Sequence, residues 1–542
     1  MSFISAIKDR ARFFIRESIT DNPVIVRDVR TRMRGKQAFL MMASYVLFLI
    51  IVMTIAYYTA WSSAMNRSMM TGQSLVNLDL GGTLFKTLVW TQTILLALIV
   101  PSLTSGAISQ ELEKRTIEML ALTRLTPGKI VIGKHLAGIM YPLVLMICSL
   151  PLSGICVMLG GISPAEILVA YLALAAWGFL LAAIGLYWSS MFKRTASAAL
   201  FSYAISGFYF LFTSYMVLIY SFAGSGRGIQ SAFSMLNPGM ASTFGILEKV
   251  SICGLSIYAI VPAILIHLLI GTILILAAST HLKHYRSDRA LPIRILLMAL
   301  TALMVWLYAG QSSILAAVSG PNPNPVFYMM SLVLYALCLL MALIGTGTPD
   351  LSQEKSPILY GFSLRKAFSG DLAGSIMFAV IYSLLLYAVM MITLRWNFSV
   401  ASYTKGIDVF KTIVPVSIAN MAVVIGITAL GVFFSSVIKK RVIAGICTVL
   451  VTLLLLAGYN IVLLIYNIWL SELASPLWQI AAFWPIMPLM ALSKDTWSNL
   501  PHLWWSRGDA WIVCSVTYAV MTVLLLKLAA RSARKKPAPE ED

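Results

Sequence analysis

Charged residues of both signs are concentrated at 108–134, and they are the chain's clearest candidates for a functional contact. Glu111 and Arg115 are four residues apart, as are Lys114 and Glu118, and pairs at this spacing support a helix. An apolar side is supplied by four more residues, namely Ile108, Leu112, Ile117 and Leu120. The chemistry of such a helix is ionic and hydrophobic recognition. Two interpretations stay open, docking on a protein partner and a solvated connector lying on lipid head groups.

A second set of candidates consists of polar side chains within long apolar stretches. His267 is the histidine deepest in such a stretch, and the others are Ser202, Ser206, Tyr209, Asn420, Thr452, Tyr459 and Asn460. Polar residues inside a membrane often mark a transport pathway. Because ordinary contacts between membrane helices use the same residue types, pathway lining and packing both stay open. For His267 we favour a hydrogen-bonded packing role.

The sequence offers nothing that would do catalysis. It contains no Walker A pattern, no HExxH and no Cys/His spacing suited to zinc. We therefore expect no catalytic residue, no metal and no cofactor in this chain. The formal net charge of +19 is scattered over many segments, which argues against a nucleic-acid partner.

Composition defines the elements that must position these candidates. With 59% hydrophobic and 11% charged residues, the chain is not a soluble globular protein, in which about 25% of residues are charged. Twelve apolar runs contain no Asp, Glu, Lys or Arg. They lie at 38–60, 87–105, 136–159, 167–192, 195–222, 252–280, 295–318, 326–346, 372–394, 412–438, 442–470 and 511–526. We predict an all-α integral membrane protein with about twelve transmembrane helices, one per run.

The distribution of basic residues predicts the topology. With a cytoplasmic N-terminus, 31 of the 40 Lys and Arg residues fall on the inner side, as the positive-inside rule requires. Both termini are therefore expected in the cytoplasm. Residues 7–20 alternate basic and apolar side chains, which is typical of a helix at the membrane surface, and Asp21-Asn22-Pro23 predicts the start of a second helix. The apolar, proline-containing segments 231–247 and 478–492 are predicted not to span the membrane.

Three short segments recur in the same order in the second half of the chain. Ser109-Gln110-Glu111 returns as Ser352-Gln353-Glu354, Leu136-Ala137-Gly138 as Leu372-Ala373-Gly374, and Gly185–Ser190 as Gly431–Ser436. Copies with an even number of crossings share one orientation, which predicts two parallel six-helix repeats. The domains would be cytoplasmic interfacial and connecting helices at 1–37, a first permease domain at 38–282, a second at 283–530 and a cytoplasmic tail at 531–542.

The segment from Glu111 to Lys134 resembles the inner-loop signature of type-two ABC export permeases. In that family, an acidic residue and an arginine precede Thr-apolar-Glu-apolar-Leu, followed by a proline turn and by Gly-Lys at the third crossing. Asn22-Pro23-Val24 and its arginine-rich helix are similar as well. The resemblance covers residues 20–282, and beyond them it depends on the internal repeat.

The resemblance implies a permease component that exports a substrate across the membrane, using ATP hydrolysed by separate subunits. Those ATPase subunits would bind ATP and Mg at the cytoplasmic face, and the chain itself would not be an enzyme. Its setting would be the lipid bilayer of a bacterial inner (plasma) membrane. The residues to which the resemblance assigns ATPase coupling are Glu111, Arg115, Thr116, Glu118, Pro127 and Lys129.

The second copy departs from the family pattern. Glu354, Arg365 and Lys366 stand in its loop, but Ser356-Pro357 interrupts the place of Thr-apolar-Glu. We therefore expect an asymmetric transporter with one dominant coupling segment. The alternative is an ion-coupled secondary transporter with two six-helix halves, although the apolar runs lack the carboxylates that such transporters use. A membrane-bound enzyme or assembly scaffold is a third class, without a supporting residue cluster.

Overall fold

The computed structural model of the protein describes fourteen stretches of the chain. They are residues 23–33, 36–71, 80–116, 127–222, 235–247, 249–252, 255–280, 290–309, 376–385, 388, 409–438, 443–452, 455 and 510–534. Within these stretches the chain is almost wholly helical. The exception is a two-stranded hairpin of β1 (Lys249–Ile252) and β2 (Leu255–Tyr258).

Eight helices among the described residues are long and apolar enough to cross a membrane. They are Phe39–Ser63, Leu80–Glu113, Gly128–Met158, Pro164–Met191, Thr195–Ser214, Ile260–Thr280, Ile418–Val437 and Ile512–Ser532. An α-helix satisfies most of its backbone hydrogen bonds internally, as a span through hydrocarbon requires. The protein is therefore a helical membrane protein. Shorter apolar helices overlap three more of the predicted runs, and the run at 326–346 lies outside the described residues.

The chain divides into two compact units. Unit 1 comprises Met1–Val250 and Ser256–Arg289, and unit 2 comprises Ser251–Leu255 and Ala290–Asp542. The described helices of unit 1 are α1 (Pro23–Met33), α2 (Lys36–Thr71), α3 (Leu80–Thr104), α4 (Ser109–Glu113), α5 (Pro127–Cys148), α6 (Leu150–Met158), α7 (Pro164–Met191), α8 (Thr195–Phe222), α9 (Pro238–Phe244) and α10 (Ile260–Thr280). Those of unit 2 are α11 (Ala290–Ala309), α12 (Val409–Val437) and α13 (Ala510–Arg534), with shorter helices at Ile376–Leu385 and Ile443–Thr452.

Helix α7 forms the centre of unit 1. Its start is fixed by a capping box, in which Ser163 Oγ accepts a hydrogen bond from the Glu166 amide at 3.3 Å and Glu166 Oε2 accepts one from the Ser163 amide at 2.8 Å. Pro164 occupies the first turn, where its missing N–H costs nothing. Helices α3, α5, α8 and α10 all pack against α7, and Trp177 is fully buried among them.

Three boundaries of unit 1 bear directly on the predictions from sequence. Helix α1 begins at Pro23, as predicted. The short helix α9 lies within 231–247, which was predicted not to span, and Asn237 Oδ1 caps it by accepting from the Gly239 amide at 3.1 Å. The predicted run 252–280 is wrong at its start, because the two strands occupy residues 249–252 and 255–258, and α10 begins at Ile260.

Helix α4 is shorter than the sequence pattern predicts. The helix ends at Glu113, and Arg115 has a φ of 55°. The Thr116 amide bonds the Glu111 carbonyl at 3.0 Å and the Arg115 amide bonds the Leu112 carbonyl at 3.3 Å, which is the Schellman pattern of a helix end. The predicted pairing of Glu111 with Arg115 is therefore wrong, since Glu111 has other partners (below), and Glu118 lies outside the described residues.

In unit 2, α12 packs along α13. Gly426 permits the close approach, because a Cβ at this position would lie 2.9 Å from Tyr518 Cδ1 and 3.0 Å from Met521 Cε. The Ser532 hydroxyl donates to the Ser436 carbonyl at 3.3 Å near the end of the pair. In the hydrocarbon, van der Waals packing of this kind is what holds helices together.

Candidate functional site

The candidate site is the elbow, by which we mean residues 105–116, comprising the turn after α3, α4 and the three residues that follow. Two amides of the turn have backbone partners, since the Ser105 amide donates to the Pro101 carbonyl at 2.9 Å and the Ala107 amide to the Thr104 carbonyl at 3.1 Å. The residue before α4 is Ile108, and its apolar side chain cannot cap the helix. The start of α4 therefore needs a partner from elsewhere in the fold.

Ser189 of α7 supplies that partner. Its Oγ accepts hydrogen bonds from the amides of Ile108 at 2.8 Å and Ser109 at 2.9 Å. At the other end of α4, the Glu113 carboxylate accepts from the Thr195 amide at 3.0 Å and from the Thr195 hydroxyl at 2.7 Å. Thr195 is the first residue of α8. Both ends of α4 are thus hydrogen-bonded to the helices α7 and α8.

The apolar side of the elbow is seated in the core of unit 1. Ile108 is 1% exposed and belongs to a buried cluster with residues of α5, α7 and α10. The cluster consists of Ile108, Val131, Ala183, Leu186, Ile275 and Ala278. Burying an isoleucine side chain contributes about 2 kcal/mol, so the elbow is anchored by apolar burial as well as by hydrogen bonds.

Two glycines allow α3 to approach its neighbours just before the elbow. A Cβ at Gly138 of α5 would lie 2.6 Å from Thr104 Cγ2, and one at Gly185 of α7 would collide with Thr104 Oγ1. Gly138, Gly185 and Ser189 belong to segments that recur in the second half of the sequence, as does Ser109. The three recurring segments, which are far apart in the sequence, therefore meet at one place in unit 1.

A network of four charged side chains ties the elbow to α1 and α5. Lys134 Nζ lies 2.8 Å from Glu111 Oε1 and 3.7 Å from Asp28 Oδ2. Arg27 lies 3.1 Å from Asp28 and 3.5 Å from Glu111. The Lys134 side chain is only 4% exposed, against 61% for Arg27. Lys134 is thus a buried cation between two carboxylates, whereas Arg27 closes the network on the exposed side.

The end of the elbow, residues 114–116, is exposed, and we call it the tip. Glu113, Lys114, Arg115 and Thr116 are all exposed. Of the other residues assigned to coupling, Lys129 is half-buried in α5, and Pro127 is the first residue of that helix. The structure therefore brings Glu111 into the charged network and leaves Arg115 and Thr116 at the tip. Glu354, Arg365 and Lys366 lie outside the described residues.

The candidate pathway residues of unit 1 lie along α8 and α10. Ser202 and Ser206 are buried, and neither hydroxyl has a hydrogen-bond partner within the described part of the chain. Tyr209 Oη lies 3.3 Å from His267 Nε2, and Trp177 stacks on Tyr209 with ring centroids 5.6 Å apart. His267 is 2% exposed. Tyr209 and His267 are therefore members of a packed aromatic cluster between α7, α8 and α10.

The candidate pathway residues of unit 2 are described in part. Asn420 is buried in α12, and Thr452 is buried with its hydroxyl on the Thr448 carbonyl at 2.7 Å. Tyr459 and Asn460 lie outside the described residues. Thr452 is thus satisfied within its own helix, as threonines in membrane helices commonly are.

Sequence reasoning missed most of the side chains that hold the elbow in place. Ser189 and Lys134 contact it, Glu113 within it binds Thr195, and Asp28 binds Lys134; none of these four was among the predicted site residues. Ser189 did carry a signal, because it lies in a recurring segment, and Lys134 ends the motif that resembles the permease family. Neither signal identifies the contacting partner.

Comparison with known proteins gives no family for this chain. No protein-family model matches the sequence, and no curated protein matches it either. In the described part of the chain, no group of three or more His, Cys, Asp or Glu residues is arranged to hold a metal ion.

Proposed function

We propose that this chain is the permease component of an ABC-type exporter, with the elbow as the contact for a separate ATPase subunit on the cytoplasmic side. The observation that carries the proposal is the contrast within the elbow. Its tip is exposed and charged, whereas its base is buried and bonded to several membrane helices. A rigidly held, exposed charged tip suits the transfer of a displacement from a partner into the membrane.

The charged network supports this role. A lone connector lying on head groups would not need a buried cation, since taking an ion out of water costs several kcal/mol unless it is well paired. Lys134 is held between Glu111 and Asp28, and it thereby joins α5, the elbow and α1. A displacement of the elbow would therefore also displace α1 and α5.

The conformation of Arg115 supports it as well. A positive φ at a residue other than glycine costs about 1 kcal/mol, and such residues are concentrated at functional sites. Arg115 adopts a φ of 55° at the exposed tip. An arginine in this place is better explained by contact with a partner than by the needs of the helix end, where glycine would fit best.

The proposal is tested by co-expressing the full chain with its cognate ATPase subunit. We expect the two to co-purify and the chain to stimulate ATP hydrolysis. Reversal of the charges at the tip, in the double variant Lys114→Glu/Arg115→Glu, should weaken both effects at least tenfold, which corresponds to about 1.4 kcal/mol. Charge reversal at Glu111 and Glu118 should also weaken association, but Glu111 is less diagnostic because it holds the network.

A matched control is Lys249→Glu, which reverses an exposed lysine on the β1 strand. The predicted topology places this strand on the side of the membrane opposite the elbow, so association should be unchanged. Failure of the wild-type chain to bind or stimulate any ATPase encoded with it would remove the proposal.

The alternative, an ion-coupled secondary transporter, has one observation in its favour. Histidine can carry protons within a membrane, and the buried His267 is hydrogen-bonded to Tyr209. Transport that collapses with the proton gradient and is abolished in His267→Asn would support this alternative. Transport that needs ATP but no gradient would exclude it.

A further inference from the structure

Helix α4 receives its N-terminal cap from a different helix. The first amides of a helix have no partner within it, and such a cap is usually supplied by the residue just before the helix. Here that residue is Ile108, and the cap is the Ser189 hydroxyl, which accepts from the Ile108 and Ser109 amides. Ser189 and Ser109 are both fully buried, so water cannot replace the cap.

Helix α4 in turn supplies the cap of α8. The Glu113 carboxylate accepts two hydrogen bonds from Thr195, one from its amide and one from its hydroxyl. A carboxylate at this place also interacts favourably with the helix dipole. The α7–α8 turn comprises residues 192–194. Ser189, before the turn, therefore caps α4, and Thr195, after the turn, is capped by Glu113 of α4.

The exchange of caps restricts how these elements can move. If α4 moved away from α7, the buried amides of Ile108 and Ser109 would lose their acceptor, and an unsatisfied buried amide is costly. If α4 moved away from α8, Thr195 would lose both bonds to Glu113. A displacement of α4 that keeps all four hydrogen bonds must carry the α7–α8 turn with it.

We infer that Ser189 and Glu113 are positioning residues that join α4 and the α7–α8 turn into one mechanical unit. Resting on the proposed function, this assigns the α7–α8 turn as the route by which closure of the ATPase partner reaches α8. Helix α8 carries Ser202, Ser206 and Tyr209, the candidate pathway residues of unit 1. The displacement would thus reach a helix that carries candidate pathway residues.

The recurring segment of unit 2 shares one hydrogen bond with that of unit 1. The Ser190 hydroxyl donates to the Tyr187 carbonyl at 2.6 Å, and the Ser436 hydroxyl donates to the Phe433 carbonyl at 2.7 Å. In each segment the second serine is thus bonded within its own helix. In unit 1 the first serine, Ser189, is the one that caps α4.

The first test uses the full chain without any ATPase and measures amide hydrogen exchange by mass spectrometry. In Ser189→Ala, exchange at Ile108 and Ser109 should rise about fivefold, the effect of losing one net hydrogen bond. Because the unit is joined, exchange at Thr195 should rise as well, and Glu113→Gln should raise exchange at Ile108 and Ser109. Ser190→Ala is the matched control, and it should change neither site.

Exchange within 174–183 of α7 serves as an internal reference, since unchanged protection there shows that the variant is folded. Faster exchange at Ile108 and Ser109 with no change at Thr195 would overturn the inference, because the two caps would then be independent. The test does not depend on the proposed function.

The second test adds the ATPase subunit. Ser189→Ala leaves the exposed tip intact, so the chain should still co-purify with the subunit, but the maximal rate of stimulated ATP hydrolysis should fall severalfold with the KM for ATP unchanged. A stimulated rate equal to that of the wild type would overturn the route through the α7–α8 turn. If the wild-type chain binds no ATPase, the proposed function fails, and the exchange experiment still decides whether the caps are joined.

Discussion

Helix α7 of unit 1 carries Gly185–Ser190, and α12 of unit 2 carries its copy, Gly431–Ser436. Each helix packs closely against the last described helix of its own unit. In unit 1 the small residue is on the last helix, because Gly271 of α10 faces Phe179 and Ala183 of α7. In unit 2 it is on the other helix, because Gly426 of α12 faces Tyr518 and Met521 of α13. The glycine and the large residues that it faces are therefore on opposite helices of the two pairs. Close approach is thus common to both pairs, whereas the residues that permit it differ.

The segments around the elbow differ more strongly. Counted from Leu136 and Leu372, Gly370 stands where unit 1 has Lys134; counted from Ser109 and Ser352, Pro357 stands where unit 1 has Lys114. Glu354 therefore lacks the sequence counterpart of the lysine that neutralises Glu111. Proline also has no N–H to make the bond that the Lys114 amide makes to the Gln110 carbonyl at 3.0 Å. This comparison sharpens the expectation that one coupling segment dominates.

The largest effect is expected from Lys134→Met, which removes the buried cation of the network. Asp28 and Glu111 would then lose the buried cation and keep the exposed Arg27, and loss of one member of a buried pair costs about 3 kcal/mol. The free energy of unfolding, measured by titrating the purified protein from mild detergent into SDS, should fall by about this amount.

The matched control for Lys134→Met is Arg27→Met, since both side chains contact the same oxygen of Glu111. Arg27 is largely exposed, so its loss should cost about 0.5 kcal/mol. Equal losses for the two variants would contradict the burial argument and would weaken the distinction between units 1 and 2.

A smaller effect is expected from Gly185→Ala. Its new methyl group would collide with Thr104, which is buried between α3, α5 and α7, and overpacking of this kind costs about 2 kcal/mol. Gly178→Ala on the same helix is the control, because a Cβ there has no atom within 4 Å. The same titration should show a loss for Gly185→Ala and no loss for Gly178→Ala. A loss shared by both would place the cause in α7 itself.

The exchanged glycines permit a direct comparison of the two helix pairs. At Gly271, a Cβ would lie 2.5 Å from Cε1 of Phe179, a rigid ring packed against the core. At Gly426 one of the two nearest atoms is the flexible end of Met521, which can move aside. We expect Gly271→Ala to lower the free energy of unfolding by about 1 kcal/mol more than Gly426→Ala does. The reverse order would show that the pair in unit 2 is the tighter one.

The sequence predicted features that depend on local signals. Apolar runs predicted the eight membrane-length helices of the described residues, Asn22-Pro23 predicted the start of α1, and the proline at 238 begins a helix too short to span. The sequence did not predict features that depend on contacts between distant residues. Ser189 is 81 residues from Ile108, and nothing in the composition of either segment indicates that contact. The helix pattern of the elbow was misleading because Glu111 pairs with Lys134 across the fold instead of with its neighbour four residues on.

The smallest effect, and the most informative on function, is expected from Arg115→Gly. Glycine adopts a positive φ without the steric cost that arginine bears at 55°, so the free energy of unfolding should rise by about 0.5 kcal/mol. Lys114→Gly is the control, because Lys114 has an ordinary φ of −81° and glycine there should destabilise by about the same amount. If Arg115 contacts the ATPase, the stabilised variant should nevertheless stimulate hydrolysis less than the wild type. A variant that is both more stable and fully active would show that the arginine's conformation serves no partner, and the asymmetry between the two coupling segments would then depend on the charged network alone.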